Sequence, residues 1–98
     1  MPSEVFDLDR AWRVHPRVSI RPEPFGALVY HFETRKLSFL KERTLLDVVE
    51  GLDGVRSARE VCRAAGVPEE QDARYGRALA ALAASSMLVP APAAAVAA

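Results

Sequence analysis

Two histidines and one cysteine are the side chains of this chain best suited to chemistry. His15 precedes Pro16, which predicts a turn, and neither histidine has a partner at zinc-site spacing. His31 falls on the outer face of a predicted sheet, where we expect a surface histidine without a catalytic or metal-binding role. Cys62 lies on the apolar face of a predicted helix and is expected to be a buried, inert thiol.

The carboxylates are no better arranged for catalysis. Glu69, Glu70 and Asp72 follow Pro68 and form the charged first turn of a helix, where the helix dipole favours them. The five glycines are scattered, so there is no glycine-rich phosphate loop. These residues predict a protein that is not an enzyme and that holds no cofactor or metal.

Size and charge narrow the function classes further. The chain has 98 residues, half of them hydrophobic, which suits one domain with one core. Thirteen basic residues balance thirteen acidic ones, and this argues against nucleic acid as a partner, because phosphate binding needs a basic excess. The chain lacks a signal peptide and any run of roughly 18 apolar residues, so we expect a cytoplasmic protein without a membrane partner.

Three segments, residues 17–21, 27–33 and 36–41, have the residue pattern of strands. A two-residue loop between the second and third strands would pair Tyr30 with Phe39 and His31 with Ser38. The sequence lacks the Asn-Gly pair that favours such a loop, so a longer loop is the alternative. In this register the large apolar side chains share one face, which we expect to point into the core. That face comprises Leu28, Tyr30, Phe32, Leu37 and Phe39.

The remainder of the chain has helical periodicity. An apolar stripe predicts a first helix that ends near residues 51–54. A capping box at Ser57 and Glu60 opens a short second helix, and Pro68 opens a third, followed by an extended apolar end at residues 87–89. The stripe of the first helix comprises Leu45, Leu46, Val48, Val49 and Leu52.

Strands followed by helices predict an α+β fold of winged-helix type: a three-stranded antiparallel β-meander followed by three α-helices. Residues 1–14 are expected to pack on a domain formed by residues 15–89, and residues 90–98 to be a disordered tail of alanine and proline. A winged helix is also typical of DNA-binding regulators. Here the acidic first turn of the third helix would repel DNA, so this function is kept only as an alternative.

The free edge of the meander is the feature that most indicates a function. Residues 36–41 contain neither proline nor glycine, so an extended peptide could add to them as a further strand. Two other interpretations stay open: Lys36 and Lys41 guard the edge, or the edge pairs with a second copy in a self-associating structural domain. The alanines of the third helix favour the peptide-binding interpretation, because small side chains leave a trough in which a peptide backbone could lie. Arg74 and Arg77 would stand at the entrance of this trough and suit an acidic peptide. Alanine is also a good helix former, which explains the same residues without a ligand.

The block Arg-Pro-Glu-Pro-Phe-Gly-Ala-Leu, at residues 21–28, lies in a run that closely resembles the mycofactocin precursor-recognition proteins, the MftB family. The resemblance extends through residues 35–40 and 79–85 and covers roughly residues 5–89. This family belongs to the wider group of PqqD-like peptide recognition elements, similar to the pyrroloquinoline quinone chaperone.

The resemblance implies a ligand and a partner. The ligand would be the leader of a ribosomally made precursor peptide, and a radical S-adenosylmethionine maturase would receive it and hold the iron–sulfur clusters. The protein itself would be a monomeric peptide chaperone, to which the leader adds beside the third strand and against the third helix. Together with the free edge, this predicts a peptide-binding site formed by Lys36, Leu37, Ser38, Phe39, Leu40, Lys41, Arg74, Tyr75, Arg77, Ala78 and Ala81.

Overall fold

Six strands and three α-helices make up residues 6–91, which are the residues that the computed structural model describes. The α+β class is confirmed, and a single 3-10 turn, Glu69–Gln71, precedes the third helix. The elements in chain order are β1 (Ala11–Val14), β2 (Val18–Glu23), β3 (Gly26–His31), β4 (Leu37–Leu40), α1 (Arg43–Gly51), β5 (Asp53–Ser57), α2 (Ala58–Ala64), α3 (Asp72–Ala84) and β6 (Leu88–Pro90).

The predicted meander is present as the sheet β2-β3-β4, with β3 in the middle. Its second hairpin differs from the predicted register by two residues, because Tyr30 lies opposite Leu37 and not opposite Phe39. The loop is longer than two residues: the His31 N–H donates to the Lys36 carbonyl at 3.0 Å, and Arg35 adopts a φ of 64°. Without Asn-Gly a two-residue turn is unfavourable, and the longer loop needs only one left-handed residue.

The predicted orientation of the meander is wrong. Leu37 and Phe39, expected in the core, are 53% and 54% exposed, whereas Val29 and Leu40 are buried against the helices. A shift of two residues leaves the two sets of side chains intact, so the pattern identified the sets correctly but assigned the wrong set to the core. The larger and more aromatic set faces outward.

His31 is buried, which corrects its prediction as a surface histidine. Its Nδ1 accepts the N–H groups of Glu33 at 3.1 Å and Thr34 at 3.3 Å, so the ring closes the hairpin loop from the inside. Its ring also packs on that of His15, with centroids 4.5 Å apart. A histidine can replace a core residue here because the loop supplies donors to one ring nitrogen.

A second antiparallel sheet, with the order β5-β1-β6, was not predicted. Residues 51–54 were predicted to be the end of the first helix and Ser57 the start of the second, so no strand was expected between them, and residues 87–89 were predicted only as an extended end. Because β5 lies between α1 and α2, the simple order of three strands and then three helices does not hold. The winged-helix assignment and the division at residues 14 and 90 stay predictions, and the tail at residues 92–98 lies outside the described residues.

The helices follow their predicted patterns closely. The stripe of α1 is buried, and α2 begins with the capping box in which Ser57 and Glu60 bond each other's backbone N–H. Cys62 is buried as predicted, and burial raises the pKa of its thiol. Within residues 6–91 the helices are too short or too polar to cross a bilayer.

Candidate functional site

Backbone hydrogen bonds of β3 alternate between its two neighbours. The Phe32 N–H, just past β3, donates to the Arg17 carbonyl at 2.9 Å, and the His31 N–H donates to Lys36 on the other side. Because hydrogen-bonded pairs alternate along an antiparallel ladder, the N–H and carbonyl groups of Ser38 and Leu40 point toward β3. Those of Leu37 and Phe39 point away from the sheet. The free edge of β4 therefore presents two N–H and two carbonyl groups.

The opposite edge of the sheet, β2, is less open. The same alternation turns Val18, Ile20 and Pro22 outward. Pro22 has no N–H, and at an outward position this costs the sheet no hydrogen bond. The meander thus has one edge interrupted by proline and one edge with its outward donors intact.

Side chains beside the free edge form an exposed hydrophobic surface, here named the outer apolar face. Phe39 lies opposite Leu28, and its ring centroid is 6.3 Å from that of Phe25. Tyr30 and Phe32 meet edge to face at 5.1 Å. The side chains of this face cover one another only partly, and large exposed apolar groups in contact commonly mark interaction surfaces. The outer apolar face comprises Phe25, Leu28, Tyr30, Phe32, Leu37 and Phe39.

The end of β4 is fastened to α3 through Glu42. Its carboxylate accepts hydrogen bonds from Arg74 Nη1 at 2.6 Å and from the Tyr75 hydroxyl. The bond from Arg74, and then that from Tyr75, holds the pKa of Glu42 below its ordinary value. Arg74 was predicted to stand at the entrance of a trough, and the structure engages its charge with a carboxylate of the same chain.

The predicted site residues fall into two groups that Glu42 joins. On and beside β4, Leu40 is buried, Ser38 is half-buried, and Lys36 and Lys41 are exposed. On α3, Tyr75 is buried and Ala78 half-buried, while Arg74, Arg77 and Ala81 are exposed. Their role in peptide binding stays a prediction. Sequence reasoning missed Glu42, although an acidic side chain directly after a strand and before a helix was a usable signal.

Asp72 has a structural role at the start of α3. Its carboxylate accepts bonds from Arg63 at 2.7 and 2.8 Å and from Arg59 at 2.8 Å, and Arg59 also bonds Asp9. The bond from Arg63 is the largest cause that lowers the pKa of Asp72, with Arg59 adding to it. Of the three carboxylates predicted to form a charged turn, Glu69 and Glu70 remain exposed.

Among the described residues, His15, His31 and Glu33 bring potential metal ligands within 4.8 Å of one another. Nδ1 of His15 accepts the Arg17 N–H at 3.0 Å, just as Nδ1 of His31 accepts N–H groups of its own loop. Each neutral ring therefore carries its proton on Nε2. A metal on Nε2 would force that proton onto Nδ1 and break these backbone bonds, so the donor set favours a structural role.

Comparisons with known proteins match most of the chain to one family. The model of the peptide chaperone MftB family matches residues 11–89, from β1 to β6. Proteins named peptide chaperone MftB are 60% identical over 85 residues in Mycobacterium ulcerans (87% of this chain, 78% of the relative) and 58% identical over 88 residues in Mycobacterium tuberculosis (90% and 81%). The relative from Mycolicibacterium smegmatis is 56% identical over 85 residues (87% and 83%). No solved structure matches the chain. The chain therefore belongs to the peptide chaperone MftB family.

Proposed function

We propose that this protein binds the leader of a mycofactocin precursor peptide as an added strand on β4 and presents it to a radical S-adenosylmethionine maturase. The observation that carries the proposal is the free edge of β4, where the N–H and carbonyl groups of Leu37 and Phe39 point away from the sheet. The names of its relatives, which are peptide chaperones, support the same proposal.

The protein acts in this proposal as an adaptor and not as an enzyme. It lowers no reaction barrier, holds no cofactor, and raises the local concentration of the leader at the maturase. A dissociation constant near one micromolar, about −8 kcal/mol, suffices for this and still permits release. The acceptor and donor groups of β4 supply the affinity, and the adaptor works as a cytoplasmic monomer.

Amide hydrogen exchange tests where the leader binds. In the free protein the N–H groups of Leu37 and Phe39 are expected to exchange quickly, whereas those of Ser38 and Leu40 are protected by β3. Adding the synthetic leader peptide in excess should slow exchange at Leu37 and Phe39. The outward amide of Ile20, on the edge that Pro22 interrupts, serves as the internal control and should not change. Unchanged exchange on β4 at saturating peptide would refute strand addition there.

A further inference from the structure

The side chains of Leu37 and Phe39 lie beside the same backbone groups that the free edge offers. In a sheet, residues directly opposite each other on neighbouring strands place their side chains on the same face. A strand added to β4 therefore puts the residues opposite Leu37 and Phe39 onto the outer apolar face. Those two residues are two positions apart in the added strand, because side chains alternate with a period of two.

The other face of the added strand has less to contact. Its side chain opposite Ser38 points toward the helices, where Ser38 is half-buried and offers a hydroxyl. Leu40 is only 1% exposed, so it has almost no surface left for a ligand. Beyond it, the Glu42 carboxylate is occupied by Arg74 and Tyr75. Along β4 the apolar surface open to a ligand lies on the outer face.

We propose that the bound leader is recognised by the outer apolar face, through two apolar side chains two positions apart that pack on Leu37 and Phe39. Phe25 extends the contact, because its ring stands beside that of Phe39. This inference rests on the proposed function and adds the chemistry of the ligand to it. The sequence predicted that the trough of α3 selects the leader, whereas this inference assigns that selectivity to the outer apolar face, on the side of the sheet turned away from the helices.

The two lysines at the ends of β4 predict acidic residues in the same ligand. Lys36 and Lys41 are exposed at the two ends of β4, and within residues 6–91 neither has an ion-pair partner. An acidic residue on either side of the apolar pair would meet a lysine. The expected ligand is therefore an extended segment with alternate apolar residues flanked by carboxylates.

A second copy of this chain fits the edge less well than a peptide. β4 has four residues, about 13 Å of edge. Pairing two such strands gives a small contact compared with the roughly 1,000 Å² that a stable association of two folded proteins needs. A flexible peptide can follow the strand and the outer face together, so a short edge serves it better.

Leader affinity of matched serine variants tests the inference. Phe39→Ser removes a ring from the outer face beside the edge, and Val55→Ser removes an apolar side chain that is 81% exposed on β5, in the other sheet. Phe39→Ser should raise the dissociation constant of the synthetic leader about tenfold, and Leu37→Ser by about half as much on a logarithmic scale. Val55→Ser should change it less than about twofold. Phe39→Leu should restore most of the affinity, because it restores the apolar contact.

The outcomes separate this inference from the proposed function. If the wild-type protein binds the leader along β4 and Phe39→Ser binds it equally well, the proposed function stands and the outer face is not what recognises the leader. If no leader binds to β4 of the wild type, the proposed function itself fails. Loss of maturase binding by Phe39→Ser with unchanged leader affinity would assign the face to the maturase and overturn the inference. A change from dimer to monomer in sedimentation, again with unchanged leader affinity, would assign it to a second copy and overturn the inference too.

Discussion

β2 and β4 both flank β3, and each turns alternate backbone groups outward. On β2 one of the outward positions is Pro22, and the side chains around it include the exposed Arg21. On β4 the outward positions are Leu37 and Phe39, with intact donors and large apolar side chains. The same sheet thus has one edge interrupted by proline and one edge with its outward donors intact, and the proposed strand addition depends on this difference.

A side chain at Gly26, where β3 passes close to the end of β4, should have the largest effect on stability. Gly26 has a φ of +153°, and a Cβ there would lie 1.9 Å from the Leu40 carbonyl oxygen. Gly26→Ala should therefore lower the free energy of unfolding by about 3 kcal/mol or more, because backbone must move. Chemical denaturation measures the change.

Gly66→Ala is the control for backbone strain alone. Gly66 has a φ of +90°, and a Cβ there would meet no atom within 4 Å. Gly66→Ala should lower the free energy of unfolding by only about 1 kcal/mol. Equal losses in the two variants would show that the close approach to Leu40 carries no energy of its own.

Proline on β4 should separate inward from outward donors. Ser38→Pro removes a hydrogen bond to β3 and should cost about 2–3 kcal/mol of unfolding free energy. Phe39→Pro removes an outward donor and should cost less than about 1 kcal/mol, yet abolish most leader binding. Thermal denaturation and a leader titration on both variants test the pair. The reverse order of stability would mean that the alternation of donors is assigned in the wrong phase.

The smallest effect is expected at Glu42, which anchors β4 to α3. Glu42→Gln should cost about 1 kcal/mol or less at neutral pH, since the ion pair with Arg74 is partly exposed. The pKa of Glu42 is below 4.5 in the folded protein. Its contribution is therefore complete above pH 4.5 and is lost as the pH falls through the folded value.

Denaturation between pH 3 and pH 7 measures this dependence. The stability difference between wild type and Glu42→Gln should shrink as the pH falls below about 4.5. Glu50→Gln, an exposed carboxylate of α1 without an ion-pair partner among residues 6–91, is the matched control. A difference that stays constant with pH would contradict the ion pair as the source of the stability.

Local signals in the sequence predicted the local parts of the fold. The capping box at Ser57, the apolar stripe of α1 and the order of the meander each depend on neighbouring residues, and the structure has all three. The free edge of β4 followed from the absence of proline and glycine. These features were predictable because their energetics are settled within one helix or one hairpin.

The orientation of the meander could not be predicted in the same way. Both faces of β3 and β4 carry apolar residues, so the choice depends on which set fits the helices. Val29 and Leu40 fit in the interior, and His31 joins them because its own loop satisfies Nδ1. For the candidate site the consequence is large, since Leu37 and Phe39 change from predicted core residues to exposed residues beside the free edge.

The second sheet carries a consequence for how the chain folds. β1 is formed by Ala11–Val14 near the start of the described chain, and it pairs with β6, formed by Leu88–Pro90 near its end. The Ala91 N–H donates to the Ala11 carbonyl at 3.0 Å, so the two ends of the domain meet. The meander closes through short loops and can form early, whereas β1 can pair with β6 only after residues 88–90 have been synthesised. Completion of this sheet is therefore expected to be the late step of folding, which makes the domain finish as one unit only when both ends are present.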